Sequence, residues 1–542
     1  MGFIKIETEK LGYAYANSAN AKISWVLKDL NFEITAKDYL LICGPSGCGK
    51  STLLRTFNGL IPHFYHGTFR GQVKVAGLIT AKHSVAAIFD KVGLLFQNPE
   101  TQLFNSTVAK EIIFGLESLG LSRKKIKARL EDTTKQLAIT NLLSKIPQKL
   151  SGGQQQLVAL AVILALKPAI ILLDEPYSNL DPANADKLRK LLKSIHQQGT
   201  GIVICEHRLA CTLPDATRLM LLHQGKIEQD GSPQKLINSL FSYHALELPL
   251  AVKVARKLKL NPAPLDTASL QKIISRNKLP IELRTIPPSH DPVKNAPPLL
   301  EVKGLSFLPK KKAVLKDISF TLFAGECVAI VGPNGAGKTT LIKNIMGLNR
   351  SHKGKIQIKG QDINEQKVSQ RAGQIGIAFQ NPDNQFFKLT VKEEIEVGAK
   401  ILNRFDKKWI AWLINLFCLY PLLERSPFTL SGGEKKRVAF AAALAAKPII
   451  FIMDEPTAGQ DAFFRHALIK LIKQLKSLEL GILLITHDLA FAESLAGQWL
   501  VLSNGQAAFP GDPWQIMENK KIMGQAGLKA TDSFQLFGNK NA

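Results

Sequence analysis

The stretch Gly44-Pro45-Ser46-Gly47-Cys48-Gly49-Lys50-Ser51-Thr52 has the form GxxxxGK[ST] and follows an apolar run at 40–43. Glycines at these spacings let backbone N–H groups close around phosphate oxygens without a Cβ in the way. Lys50 supplies a mobile point charge for the terminal phosphates. Ser51 offers a hydroxyl to a hard cation, and the helix start behind it favours anions. The same loop returns as Gly332-Pro333-Asn334-Gly335-Ala336-Gly337-Lys338-Thr339-Thr340 after the apolar run 328–331. A glycine turn that happens to precede a lysine would not be expected twice, each time behind an apolar strand. Two nucleotide-binding loops are predicted.

Further residues recur in the same order. Gln97 and Gln380 each close a short apolar strand ahead of Asn-Pro. Leu150-Ser151-Gly152-Gly153-Gln154 and Leu430-Ser431-Gly432-Gly433-Glu434 each open an apolar helix, with the serine as a natural N-cap and free N–H groups facing an anion. Asp174-Glu175-Pro176 and Asp454-Glu455-Pro456 each end a wholly apolar strand. A carboxylate at such a strand end, facing the phosphate loop, is where a Mg²⁺ ligand is needed. The glutamate beside it, Glu175 or Glu455, can polarise an attacking water. His207 and His487 each end a later strand and are placed to meet the γ-phosphate. One spacing relates Ser151 to Ser431, Glu175 to Glu455 and His207 to His487, as an internal duplication requires. Purely structural roles, a capping pair or a satisfied core histidine, account poorly for this double recurrence.

The elements that must hold these residues are alternating strands and helices. Strands are expected at 3–8 and 31–35 before the first loop, and a helical segment at 108–143. A helix runs from the first LSGG motif to Leu166, where Pro168 stops it. The chain of 542 residues is too long for one core. The expected division is 1–245, a helical tail and Pro-rich basic linker at 246–298, and 299–542. The linker should begin with an amphipathic helix at 252–260, and its prolines include Pro280, Pro287, Pro288 and Pro292.

The net charge of +26 implies an acidic partner, and charge alone does not choose among lipid headgroups, nucleic acid and nucleotide. Six scattered cysteines without a CxxC pair suggest a reducing compartment and no structural metal. The N-terminus shows no signal-peptide pattern, and the longest apolar run, 159–173, is broken by Lys167-Pro168. Any work at a membrane is expected from its surface.

On these motifs the sequence resembles a tandem ATP-binding cassette (ABC) ATPase over nearly all of the chain outside the linker. The resemblance implies an α/β fold of two P-loop NTPase domains, each a mainly parallel sheet core with an antiparallel edge sheet and a helical subdomain bearing LSGG. It implies two ATP molecules sandwiched head-to-tail between the cassettes, closure on binding and reopening after hydrolysis. Carried over, Gly44, Ser46, Gly47, Gly49, Lys50, Ser51 and Thr52 would hold one ATP, with Ser431 and Gly433 completing its site. Gly332, Asn334, Gly335, Gly337, Lys338, Thr339 and Thr340 would hold the other, completed by Ser151 and Gly153. Mg²⁺ would meet Ser51, Gln97 and Asp174 in one site and Thr339, Gln380 and Asp454 in the other. Tyr15 stands where the family stacks adenine. Copy two has Pro309 there, with Phe307 two residues earlier, so weaker adenine gripping is expected at the Lys338 site. Leu157 replaces the arginine that copy two keeps as Arg437. The loop Ala458-Gly459-Gln460-Asp461 has lost the leucine of Ser178-Asn179-Leu180-Asp181.

The segments 97–104 and 380–387 share the form QNPxxQ[LF]F, each followed by TV-x-x-E-I. These are similar to the ATPases of energy-coupling factor (ECF) transporters, importers of vitamins and transition-metal ions. That likeness implies an integral-membrane scaffold subunit, a separate membrane substrate-binding subunit, and a peripheral position on the cytoplasmic face of the (inner) membrane near anionic headgroups. A second reading is a soluble tandem ABC-F-like ATPase acting on the ribosome. The proline-broken linker and the QNPxxQ[LF]F segments disfavour it, and nucleic acid with it.

Overall fold

A computed structural model describes residues 4–16, 23–178, 180–243, 246–277, 297–309, 314–349, 352–507 and 510–538. The prolines at 280, 287, 288 and 292, expected in the linker, lie outside them, as does Asn179. The chain divides into two compact units, one built on residues 1–180 and 184–277 and the other on 278–460 and 464–542.

The first unit is organised by strands with no exposed face. β3 (Tyr39–Cys43), β7 (Ile170–Asp174) and β8 (Gly201–Cys205) are buried at every position, as parallel strands covered on both sides must be. With β6 (Val92–Leu95), β9 (Arg218–His223) and β10 (Lys226–Gly231) they form a sheet of order β10-β9-β3-β8-β7-β6. It is parallel except for β10. Alternate residues serve different layers, because strand side chains have period two. Leu40, Ile42, Ile170, Leu172 and Val203 pack with Leu53, Leu54 and Phe57 of the helix Lys50–Phe57. Ile171, Leu173, Ile202 and Ile204 pack with Val158 and Leu160 of the helix Gly152–Leu166. A separate antiparallel sheet has the order β2-β1-β4-β5, from β1 (Lys5–Tyr15), β2 (Leu27–Thr35), β4 (Gly67–Val75) and β5 (Leu78–Ile79).

The second unit repeats the plan. β13 (Cys327–Val331), β17 (Ile450–Asp454) and β18 (Gly481–Thr486) are its buried parallel core, flanked by β16 (Ile375–Ala378) and β19 (Gln498–Ser503). Its edge strands are β11 (Leu300–Phe307), β12 (Leu315–Leu322), β14 (His352–Ile358) and β15 (Gln361–Asp362). They join the core through β20 (Gln506–Ala507), which pairs with both β12 and β19 and makes one ten-stranded sheet.

Some boundaries differ from expectation. The helical segment expected at 108–143 is two helices, Val108–Ser118 and Arg123–Gln136. Gly120 at φ 65° ends the first, and extended Ser122 precedes the second. β1 and β2 run well beyond the short strands expected at 3–8 and 31–35. The amphipathic tail helix is Leu250–Lys257, with a further helix at Thr267–Asn277. Val252 and Ala255 pack with Leu41, Leu219 and Leu221 of the first sheet. The six cysteines are free; Cys418 is exposed, Cys211 half-buried and the rest buried. Among the described residues no helix is long and apolar enough to cross a membrane.

Candidate nucleotide-binding and hydrolysis site

In each unit the phosphate loop sits between a buried strand and a helix that starts at the lysine. Gly44 leaves β3 so close to β9 that a Cβ there would lie 2.1 Å from the Leu222 carbonyl oxygen, and only glycine fits. Gly47, at φ 78°, has open space where its Cβ would be: the concave side of the loop is left for a ligand. Gly332 and Gly335 repeat both relations, with Leu502 taking the place of Leu222. The Lys50 ammonium is buried and donates to the carbonyls of Gly44 (2.7 Å) and Pro45 (3.0 Å). Lys338 does the same to Gly332 and Pro333 at the same distances. Burial works against the charge of Lys338 and lowers its pKa, opposed by Glu455 and Asp454. A buried cation that shares its protons with its own loop is poised to exchange those carbonyls for phosphate oxygens.

Asp174 and Asp454 end β7 and β17 as expected, both buried. Burial pushes each carboxyl up to about 6, the adjacent glutamate adding to it, and the Ser51 hydroxyl bonds Asp174 and opposes the rise. A hydroxyl and a buried carboxyl side by side fit a hard divalent cation. Glu175 and Glu455 follow in the left-handed region, at φ 48° and 47°. Their amides are tied to the neighbouring strand, to Cys205 O (3.0 Å) and Ile485 O (2.9 Å). Burial disfavours the charge on both. The bonds and charges of His207 around Glu175, and of His487 around Glu455, outweigh it and hold both glutamates below the usual carboxylate range.

The histidines meet these glutamates. His207 Nδ1 is 3.3 Å from Glu175 Oε1, and His487 Nδ1 is 2.9 Å from Glu455 Oε1. Burial tends to lower His207, but the Glu175 bond and the Glu206 charge raise it. Its Nε2 is buried with no hydrogen-bond partner among the described residues. In the charged imidazolium, which these neighbours favour, that N–H needs an acceptor, and a phosphate oxygen is one. Gln97 Nε2 donates to Glu175 Oε2 at 2.8 Å, which brings the first glutamine, glutamate and histidine into one cluster.

The LSGG helices begin as expected at exposed Ser151 and Ser431. The side chains of Gln154 and Glu434 accept from the serine amides, at 3.2 and 2.9 Å. Gln460, which stands where copy one has Leu180, folds over its own signature glycine: a Cβ on Gly433 would lie 3.0 Å from Gln460 Oε1. Tyr15 is partly exposed, its hydroxyl 3.0 Å from Thr52 Oγ1 and its ring edge-on to Tyr13 and Tyr65. Leu157 joins the apolar packing of its unit, whereas Arg437 caps a helix end by donating to Phe417 O (3.0 Å). The exchange is a repacked surface.

Sequence reasoning missed the role of Glu111 and Glu394, the glutamates of TV-x-x-E-I. Both are buried. Glu111 Oε2 accepts from the amides of Phe104 (3.0 Å) and Asn105 (2.7 Å), and Glu394 Oε2 from those of Phe387 (2.9 Å) and Lys388 (2.8 Å). The carboxylate pins the loop from inside and leaves Phe104 and Phe387 66% and 64% exposed. Recurrence in both copies was the available signal.

A family model described as "ABC transporter" matches residues 27–178 and 315–458, more than half of the chain. The chain belongs to the ABC transporter family. This ABC ATPase is 31% identical over 97% of its length to a "Putative ABC transporter ATP-binding protein" of Methanosarcina acetivorans, covering 88% of that protein. It is 34% identical over 95% of its length to the "Putative HMP/thiamine import ATP-binding protein YkoD" of Bacillus subtilis, covering 93% of it. Among solved structures, cbiO1 from Clostridium perfringens, part of the ABC transporter complex cbiONQ, is 29% identical, with 42% of this chain and 93% of that one covered at a TM-score of 0.38. The ABC ATPase is thus an ATP-hydrolysing subunit with two cassettes in one chain.

Proposed function

We propose that this ABC ATPase is the energy-coupling subunit of an ECF-type importer of a vitamin or transition-metal ion. The observation that carries this is the pair of loops after Gln97 and Gln380. Each presents an exposed phenylalanine, Phe104 or Phe387, held outward by a buried glutamate. An exposed aromatic pinned beside the nucleotide-sensing glutamine suits docking on a membrane scaffold subunit, with a separate membrane subunit binding the substrate. The similarity to YkoD, whose name includes HMP/thiamine import, supports an importer. The charge of +26 suits anionic headgroups at the cytoplasmic face. The cassette bounds 1–245 and 299–542 belong to the same proposal.

In the reaction, Lys50 and Lys338 hold terminal phosphates, and Glu175 and Glu455 polarise the attacking water. His207 and His487 contact the γ-phosphate. Ser51, Asp174 and Gln97, and Thr339, Asp454 and Gln380, would hold Mg²⁺. Once bound, that ion supplies charge neutralisation on the phosphate oxygens. Affinity purification from the native cells in mild detergent, read by mass spectrometry, tests the proposal. A small polytopic scaffold with a second small membrane protein is expected. Ribosomal proteins and RNA without a membrane partner would overturn the importer and leave the ATPase.

A further inference from the structure

The two hydrolytic glutamates have the same backbone and different side-chain surroundings. Both sit at φ near 48°, and both donate their amide to the adjacent strand. Glu455 nevertheless turns back on its own strand end. Its Oε2 accepts from Thr486 Oγ1 (3.2 Å), and its Oε1 accepts from the His487 amide (3.1 Å) and sits 2.9 Å from His487 Nδ1. Among the described residues Glu175 has no counterpart of the hydroxyl bond or of the histidine-amide bond, the His207 amide going to Glu206. Glu175 reaches Gln97 instead while keeping the contact with its own histidine, His207 Nδ1, and more of its side chain is exposed, 14% against 8%.

The residue before each histidine accounts for the difference. In the second unit this is Thr486, fully buried, whose hydroxyl donates to Glu455 and accepts from the Asp488 amide (3.0 Å). In the first it is Glu206, equally buried. Its Oε2 accepts from the amides of His207 (3.2 Å) and Arg208 (3.4 Å), and its Oε1 from that of Tyr177 (3.4 Å). The histidine amide that Glu455 occupies in one unit is therefore taken by Glu206 in the other. Two carboxylates do not share one buried donor, because like charges in low dielectric repel.

We propose that Glu206 and Thr486 are positioning residues that set the two hydrolytic glutamates differently, Glu175 turned toward Gln97 and Glu455 held against its strand end, so that the Lys50 site turns ATP over faster. This rests on the hydrolytic roles proposed above for Glu175 and Glu455. A general base pulled back from its water costs turnover more than substrate binding, so the signature is a change in kcat with KM kept.

The test is steady-state hydrolysis of MgATP by the full chain with one site silenced. In an E455Q background, E206T lets Glu175 fall back onto the freed His207 amide. The expected result is a drop of about tenfold in kcat with KM within about twofold. E206Q keeps an oxygen acceptor for that amide and restores most of the loss. In an E175Q background, T486E is expected to raise kcat severalfold. T486V, the same shape without the hydroxyl, acts in the same direction to a smaller extent. An unchanged kcat in E206T, or a fall in kcat in both Thr486 variants, overturns the proposal. Should E206T not fold, the Thr486 pair decides. The double variant E175Q/E455Q checks the underlying reading separately. Full activity there removes the glutamates' hydrolytic role, whereas inactivity there with unchanged E206T removes only the positioning role.

Discussion

Gln97 Nε2 donates to Glu175 Oε2 across 2.8 Å, and the same carboxylate meets His207 Nδ1 at 3.3 Å. The residue two positions beyond β6 is thereby wired to the residue that follows β7. In the second unit the bonds of Glu455 run to Thr486 and His487 instead.

Gln97→Ala removes a charge-assisted bond of about 1.5–3 kcal/mol. Steady-state turnover should fall about tenfold. Gln380→Ala should lower it by clearly less, since Glu455 is held by other partners. Equal losses in the two variants would show that the bond has no bearing on turnover.

Tyr15 is the ring expected to stack adenine in the first unit, and the second unit has Pro309 at that position. Equilibrium binding of ATP to Lys338→Ala, which keeps the Lys50 site, should be about three- to tenfold tighter than to Lys50→Ala. Identical affinities would remove Tyr15 from adenine recognition.

Burial holds Asp174 and Asp454 at about 6, above their ordinary 3.8. Between about pH 4 and 6 the folded chain then binds more protons than the unfolded one, so this contribution to stability declines as pH rises through that window. The proposed Mg²⁺ ligation by Asp174 and Asp454 needs the ionised carboxylate. Mg²⁺-dependent ATP affinity should accordingly weaken as pH falls below about 6, with proton release on binding measurable by calorimetry in two buffers. Asp174→Asn should flatten the first unit's share of the stability slope.

Lys436 is buried and donates to the carbonyls of Glu455 (3.3 Å), Pro456 (3.0 Å) and Ala458 (2.7 Å). Burial pulls its pKa down to about 8, with the Glu455 charge opposing. The unfolded chain binds the proton more tightly, so stability should rise between about pH 8 and 10.5, by on the order of 3 kcal/mol. Lys436→Gln, the residue copy one carries as Gln156, should abolish that slope in urea denaturation.

The chemistry-bearing loops were legible because each needs fixed residue types at fixed spacing, and the second copy repeats them. The wholly apolar runs that became β3, β7 and β8 were legible for a similar reason: parallel strands covered on both faces tolerate little else. The facing of Glu175 and Glu455 was not legible, since it depends on which neighbour wins one backbone amide. Glu111 and Glu394 were visible only as motif letters, because a carboxylate pinning amides six and seven residues earlier leaves no periodic trace. The break at Gly120 lay inside an otherwise helical composition. Arg371 reads as a surface charge in sequence. It is fully buried and donates to the carbonyls of Asn344 (3.1 Å) and Ile345 (2.9 Å), a satisfaction that only the fold supplies.

The uneven exposure of the thiols has a practical side. Cys418 sits in the left-handed turn after the helix Lys407–Leu416, beside the Phe417 carbonyl that Arg437 caps, while burial pushes Cys43 and Cys327 up to about 12. A maleimide dye added at neutral pH to the unaltered chain should attach first at Cys418. The native sequence thus carries its own reporter handle on the helical part of the second cassette, and nucleotide-driven movement there could be followed by fluorescence without engineering a cysteine.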